Sequence, residues 1–299
     1  MNSVKEMAYA KVNLYLDVAS KREDGFHDIK TVMHTVSLFD EITVSVKPSS
    51  KLSFRLVIDN KDEAPSYLPT DDGNIAVKAA RAFYEAYDAT AEVLIRLEKK
   101  IPISSGLAGG SADAAAVLRA LNRIYKRPFT EKRLAEIGAG VGSDVPFCIV
   151  GKTSSCEGRG EILRKLDSSL CYHFVIANSG EHVSTPVAYS MLDERFNDFK
   201  GIAELAEKKY ANFLLKLEAS NDFLTDCYNV FEKTIFEKCP KAAGIKQSLL
   251  LYGARMAMLS GSGASVFGIF DSEEQARAAA EKIRADGFFA EYAVSCDKL

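Results

Sequence analysis

The sequence predicts an α+β fold organised in two lobes. Two observations carry that expectation. The first half is rich in short β-branched and alternating stretches, whereas Pro186 to Ala254 is patterned mainly as helix. No internal repeat, low-complexity tract or obvious linker interrupts the 299 residues, and an apolar fraction of 47% is that of a globular chain.

Ala8 to Val18 alternates loosely and predicts a strand. Thr31 to Val46 carries VMHTVSLFDEITVSV and predicts one or two more, and Ser53 to Ile58 another. Pro65 to Gly73 is turn-rich. Asn74 to Tyr87 then reads as helix, with Ile75, Ala79, Ala82, Phe83 and Ala86 on one face. Glu92 to Ile101 is a strand in which Val93, Ile95 and Leu97 alternate with charged residues. A glycine loop and an alanine-rich helix follow, stopped by Arg127-Pro128. Thr130 to Gly138 predicts a short helix. Val145 to Val150, Glu161 to Leu166 and Tyr172 to Ala177 predict strands. Ala257 to Phe270 reads as strand, glycine turn, strand. Ser272 to Asp286 is an amphipathic helix, and Phe288 to Val294 a last strand.

Composition excludes several classes. The net charge is −3 with both signs interspersed, so a strongly basic nucleic-acid surface is not indicated. The opening MNSVKEMAYAKVN has no basic-then-apolar signal region, and no apolar run approaches ~18 residues. The expectation is a cytoplasmic protein that does not cross a membrane. Six cysteines form no CxxC and read as free thiols, and four histidines give no metal-binding pair.

The most informative stretch is IPISSGLAGGSADAAAVLRALNRIY, Ile101 to Tyr125. Ala114, Leu118, Leu121 and Tyr125 make one core-facing stripe. Ser111 is a candidate N-cap and Asp113 suits the first turn. Gly106, Gly109 and Gly110 remove side chains where a ligand could approach the backbone, and free N–H groups at a helix start attract anions. The arrangement suits a phosphate; a plain strand-to-helix turn is the alternative. No Gly-Lys-Ser/Thr follows, so this is not a Walker A loop, and GxGxxG spacing and the protein-kinase elements are absent. Two further segments are weak alone. GSDVPF places Asp144 in a loop before an apolar stretch, and LSGSGASVF reads equally as a hairpin turn. Lys11 interrupts an apolar strand, where a lone lysine usually snorkels to solvent.

Taken together, the segments resemble the GHMP kinases. PISSGLAGGSADAA resembles the family's phosphate loop. AKVNLYLDV, GSDVPF and LSGSGASVF resemble its other signatures, in the family's order and from end to end of the chain. AKVNLYLDVASKREDGFHDIKTVMHTVSLFDEI and EGRGE are most similar to the branch that acts on a cytidine-diphosphate-linked methylerythritol. Mevalonate and homoserine kinases lack the Arg-x-Asp-Gly-aromatic-His element. Departures are small. Ala108 and Ala112 stand where glycine and serine are frequent, His34 where glutamine is frequent, and Phe26 replaces a common tyrosine.

The resemblance implies a two-domain α+β GHMP kinase fold, divided as residues 1–162 and 163–299, with the active site in the cleft between the lobes. It implies ATP-dependent phosphorylation of the substrate's 2-hydroxyl, in the non-mevalonate route to isoprenoid precursors. Asp144 matches the family's catalytic aspartate and Lys11 its partner lysine. Pro102, Gly106, Leu107, Ala108, Gly109, Gly110 and Ser111 match the segment around the ATP phosphates. Mg²⁺ is expected with ATP, and Ser111 is its one candidate side chain. Phe26 and Tyr189 match two aromatic faces around cytosine, His27 and Asn13 its polar neighbours, and Thr185 a substrate contact. Gly261, Ser262 and Gly263 would close the site. The alternatives are a mevalonate or homoserine type of GHMP kinase, or a silent binding protein on the same fold.

Overall fold

The computed structural model describes residues 2–59, 68–167, 171–196, 199, 203–219 and 223–296. Residues 65–67 of the turn-rich segment and parts of the helical segment lie outside them. The chain opens with two long strands, β1 (Asn2–Lys21) and β2 (His27–Pro48), then β3 (Ser53–Ile58), α1 (Ile75–Tyr87), β4 (Ala91–Glu98), α2 (Gly109–Ile124), α3 (Glu131–Ala139) and α4 (Val145–Val150). After these come β5 (Thr153–Glu157), β6 (Ile162–Lys165), β7 (His173–Asn178), α5 (Thr185–Phe196), α6 (Ala203–Glu218), β8 (Tyr228–Asn229), α7 (Glu232–Lys238) and α8 (Pro240–Leu251). The chain finishes with β9 (Met256–Leu259), β10 (Ser265–Phe270), α9 (Glu273–Ala285) and β11 (Phe289–Val294).

β1 and β2 form one antiparallel hairpin, from Asn2 opposite Val46 to Lys21 opposite His27. Its turn is the Arg-x-Asp-Gly-Phe-His element. The Asp24 carboxylate accepts from the Phe26 N–H at 3.1 Å, the Arg22 N–H donates to the Phe26 carbonyl, and Gly25 takes φ +83°. Asp and Gly are what such a turn requires. The hairpin is the spine of a seven-stranded sheet ordered β3-β4-β2-β1-β8, with β5 and β6 continuing from β2. A second, four-stranded sheet is ordered β11-β7-β10-β9. The first sheet packs on α1 and α2. Residues of β1 and β2, such as Val12, Leu14 and Val32, share another core with Phe174, Met258 and Phe267 of the second sheet. The expected division after residue 162 falls within β6, which pairs with β5.

Helix starts carry the chemistry the sequence offers. Asn74 caps α1 by accepting from the Ala76 N–H, Thr130 caps α3, and Ser272 caps α9, which has Glu273 and Glu274 in its first turn and Lys282 and Arg284 in its last. One element differs in kind. Val145 to Val150 is helical, not extended. Its β-branched apolar content resembles a buried strand, but Pro146 sits in the first turn, where a missing N–H costs nothing, and the segment is buried against α2 and α3. Tertiary packing decides a six-residue segment that periodicity cannot.

His34 lies in the junction between the two sheets, 1% exposed. It contacts Thr153 Oγ1 at 2.8 Å through Nδ1 and Ser295 Oγ at 2.9 Å through Nε2, and stacks on Phe174. Burial disfavours its charged form and pushes its pKa from 6.5 down to about 4. Below about pH 6.5 the unfolded chain therefore takes up a proton that the folded chain refuses until about pH 4, and stability falls as pH drops through that window. The loss from this group is about 2 kcal/mol by pH 5. His34→Gln removes the titrating proton, so urea midpoints at pH 7 and pH 5 should lie closer together in the variant than in the wild type. Equal pH dependence in the two proteins would contradict this account.

Candidate active site

β1 places two polar side chains on one face. Lys11 and Asn13 are two residues apart, and the register with β2 shifts on either side of them, between Tyr9 and Lys11 and between Asn13 and Tyr15. Such bulges re-aim side chains out of a regular ladder. Both residues are buried, Lys11 at 4% exposure, so the expectation of a snorkelling lysine does not apply. Its ammonium donates to Asn13 Oδ1 at 2.6 Å and to the Gly106 carbonyl at 2.9 Å. Asn13 Oδ1 also accepts from the Gly261 N–H at 2.9 Å, while its amide donates to Thr31 Oγ1. The Gly106 carbonyl accepts a further bond from Ser260 Oγ at 3.0 Å. One buried cation thus ties the glycine loop to the turn between β9 and β10.

The carboxylate of Asp144 stands 4.0 Å from the Lys11 ammonium. Asp144 occupies the residue before α4, yet its side chain makes no capping bond. At 34% exposure it remains open to a ligand. Near it lies the start of α2. That helix begins at Gly109, with Ala108 in a left-handed conformation before it, so Ser111 falls inside the first turn and is not the N-cap. Asp113 is not a first-turn surface charge either. It is buried and accepts from Lys99 at 2.9 Å, and Lys99 also pairs with the buried Asp40. Burial, with Asp40 close by, pushes the Asp113 carboxyl well above the usual carboxylate range. Asp40 in turn accepts from the Ile101 N–H at 2.8 Å, so this cluster anchors the strand end that feeds the loop.

The loop glycines answer to protein contacts as well as to any ligand. Gly106 has φ +82°, and a Cβ there would lie 2.0 Å from the Ser260 carbonyl oxygen. A Cβ on Gly261 would lie 2.8 Å from the Gly106 carbonyl. Only bare backbone lets the two turns approach this closely. Asn229 of β8 holds the second turn from behind, donating to the Leu259 and Gly261 carbonyls at 2.8 Å each.

A cleft of about 840 Å³ collects most of the expected residues: Lys11, Asn13, Phe26, His27, Gly106, Ala108, Gly109, Gly110, Ser111, Asp144, Thr185, Tyr189, Gly261, Ser262 and Gly263. Thr185 Oγ1 and Ser262 Oγ meet across it at 3.2 Å. Pro102 and Leu107 do not line it. Leu107 is fully buried in the core, with its carbonyl bound to the Lys11 N–H, and the Pro102 carbonyl accepts from Ser105 Oγ.

The aromatic end departs from an open sandwich of Phe26 and Tyr189. The ring stacked on Tyr189 is His27, with centroids 4.7 Å apart, and Phe231 meets Tyr189 edge-on. Burial pushes the Tyr189 phenol up. Phe26 is 52% exposed and carries the Arg159 guanidinium on its face at 4.9 Å. His27 Nε2 lies 2.7 Å from Asp193 Oδ1, whose other oxygen accepts from Lys21 at 2.6 Å. Sequence reasoning missed Arg159, Asp193, Asn229 and the Asp40–Lys99–Asp113 cluster. Only Arg159 carried a signal, as the centre of EGRGE.

Comparison with known proteins now bears on this site. The GHMP kinases N terminal domain matches residues 74–152, and the GHMP kinases C terminal domain matches residues 198–287. Two 4-diphosphocytidyl-2-C-methyl-D-erythritol kinases are similar over nearly their whole length. That of Exiguobacterium sibiricum is 40% identical, covering 90% of each chain, and that of Macrococcus caseolyticus is 35% identical, covering 94% of this chain and 95% of the relative. The chain belongs to the GHMP kinases, in the family of the 4-diphosphocytidyl-2-C-methyl-D-erythritol kinases. The crystal structure of a 4-(cytidine 5'-diphospho)-2C-methyl-D-erythritol kinase superimposes on this GHMP kinase with a TM-score of 0.77 at 28% identity, covering 98% of this chain and all of that one. A homoserine kinase from Cytophaga hutchinsonii, at TM-score 0.75 and 19% identity, shares the fold.

Two glycine variants separate the roles of backbone. Gly106→Ala forces a Cβ into the Ser260 carbonyl and should cost about 1–3 kcal/mol of stability. Gly110→Ala meets only the Ile75 methyl at 3.3 Å within α2, so thermal unfolding should change little while ATP affinity falls. Unchanged ATP binding in Gly110→Ala would remove that backbone from the nucleotide site.

Proposed function

We propose that this GHMP kinase transfers the γ-phosphoryl group of ATP to the 2-hydroxyl of 4-diphosphocytidyl-2-C-methyl-D-erythritol. The observation that carries the reading is the shared cleft: the Lys11–Asp144 pair, the glycine loop at the start of α2 and the Asp-Gly-Phe-His turn all face one space. Phosphoryl transfer needs an aligned hydroxyl, neutralised phosphates and a proton acceptor. Asp144 accepts the hydroxyl proton, and the Lys11 ammonium, 4.0 Å from that carboxylate, orients the hydroxyl. Backbone N–H groups from Ala108 to Ser111 hold the phosphates without desolvating a charge. Among the described residues no three acidic, cysteine or histidine groups converge as a metal site. Mg²⁺ held by phosphates and water, with Ser111 beside it, fits that donor set and would neutralise phosphate charge. Asn13, Phe26, His27, Thr185 and Tyr189 hold the cytidine-linked substrate, and Gly261 to Gly263 close over it. The first lobe ends after β6, near residue 166. A cytoplasmic setting suits an enzyme that draws on ATP; among the described residues no helix is long and apolar enough to cross a membrane.

A mevalonate or homoserine kinase would share the loop and the fold, but neither needs the hairpin turn that carries Phe26 and His27 into the cleft. The experiment is ATP consumption with cytidine-linked methylerythritol, mevalonate, homoserine and galactose, followed by ³¹P NMR of the product. Carbon 2 of the methylerythritol bears a methyl group and no hydrogen. The new phosphomonoester should therefore appear only with the cytidine substrate and show no three-bond proton coupling. A coupled signal would place the phosphate on another hydroxyl, and turnover of mevalonate or homoserine alone would overturn the reading.

A further inference from the structure

His27 is a buried imidazole with one nitrogen committed and the other available. Its Nε2 lies 2.7 Å from Asp193 Oδ1 on α5. Its ring lines the cleft, and Nδ1 has no hydrogen-bond partner among the described residues. Asp193 is itself held by Lys21 at 2.6 Å on its other oxygen. With that ammonium beside it the carboxylate is a pure acceptor. Nε2 must then carry the hydrogen, and in a neutral imidazole Nδ1 is left with a lone pair.

A lone pair aimed at a base distinguishes the two pyrimidines. Cytosine offers an amino group at position 4, a donor that Nδ1 can accept from. Uracil offers a carbonyl there, and two acceptors facing each other leave both unpaired. We infer that Asp193 is a positioning residue that fixes the tautomer of His27 and, through it, the preference for cytosine over uracil. This rests on the proposed cytidine substrate. The stacked Tyr189 ring keeps the imidazole plane fixed and is indifferent to base identity.

The arrangement of three groups makes the inference testable with one atom changed. In Asp193→Asn the Lys21 ammonium draws the new amide oxygen to its side, which turns the NH₂ towards His27. That NH₂ can only donate, so the lone pair must move to Nε2 and the hydrogen to Nδ1. An Nδ1–H then suits uracil and opposes cytosine. The readouts are kcat/KM for cytidine- and uridine-diphosphate-linked methylerythritol, and ¹⁵N–¹H long-range NMR of the free enzymes, with the His27 signals identified by their loss in His27→Gln. The wild type should carry its hydrogen on Nε2 and favour cytidine. Asp193→Asn should carry it on Nδ1, and the cytidine-over-uridine ratio should fall by ~10-fold or more, as expected for one reversed base-edge hydrogen bond. An unchanged ratio, equal losses with both substrates, or a hydrogen that stays on Nε2 in the variant would each overturn the inference. If the wild type phosphorylated neither substrate, the functional reading would fail, while the NMR result would still decide whether Asp193 sets the tautomer.

Discussion

The structure is organised around one buried ammonium. Removing a lysine charge from water costs several kcal/mol unless fixed acceptors replace the water. Lys11 finds them in Asn13 Oδ1 and the Gly106 carbonyl, with the Asp144 carboxylate 4.0 Å away. Each acceptor carries a second donor from the turn between β9 and β10: the Gly261 N–H on Asn13, and Ser260 Oγ on Gly106. The bulges in β1, the bare backbone at Gly106 and Gly261, and the clamp from Asn229 all follow from bringing these groups within reach. The same charge that holds the two turns together also faces the Asp144 carboxylate, the proposed proton acceptor.

Much of this was legible in the sequence, and the reasons differ by residue. The Asp-Gly-Phe-His turn and the caps at Asn74, Thr130 and Ser272 are local chemistry, set by residues within three positions of one another. Nothing distant competes with them, whereas the one cap expected from the sequence, Ser111, is displaced because α2 starts two residues earlier, at Gly109. Lys11 and Asp144 are 133 residues apart, and only the family's motif order paired them. Asp193 and Asn229 belong to no motif, and their partners lie on other elements, so no spacing could reveal them. Leu107 and Pro102 belong to the loop motif but do not line the cleft, because a motif marks a stretch of chain, whereas a side chain in that stretch points either into the cleft or into the core.

Val145 to Val150 shows where periodicity stops deciding. Six apolar residues between Asp144 and Gly151 suit a buried strand or a buried helix equally. Helix was selected by Pro146 in the first turn and by burial against α2 and α3. That choice matters for function. It sets Asp144 at the residue before a helix with its carboxylate uncapped, beside the start of α2. Asp144 and the glycine loop are thereby held by rigid elements, while the GSG turn and α5 bring the second lobe's side chains across the cleft.

The central claim is that Lys11 and Asp144 act as a unit on one hydroxyl. A double-mutant cycle of Lys11→Met, Asp144→Asn and the combined variant tests it most directly, with single-turnover phosphoryl transfer as the measurement and circular dichroism as the check on folding. If the pair acts together, either substitution removes most of the rate, by ~10²-fold or more, and the double variant is little worse than the poorer single. Losses that multiply would mean that the two residues contribute independently, and the account of a shared catalytic pair would be wrong.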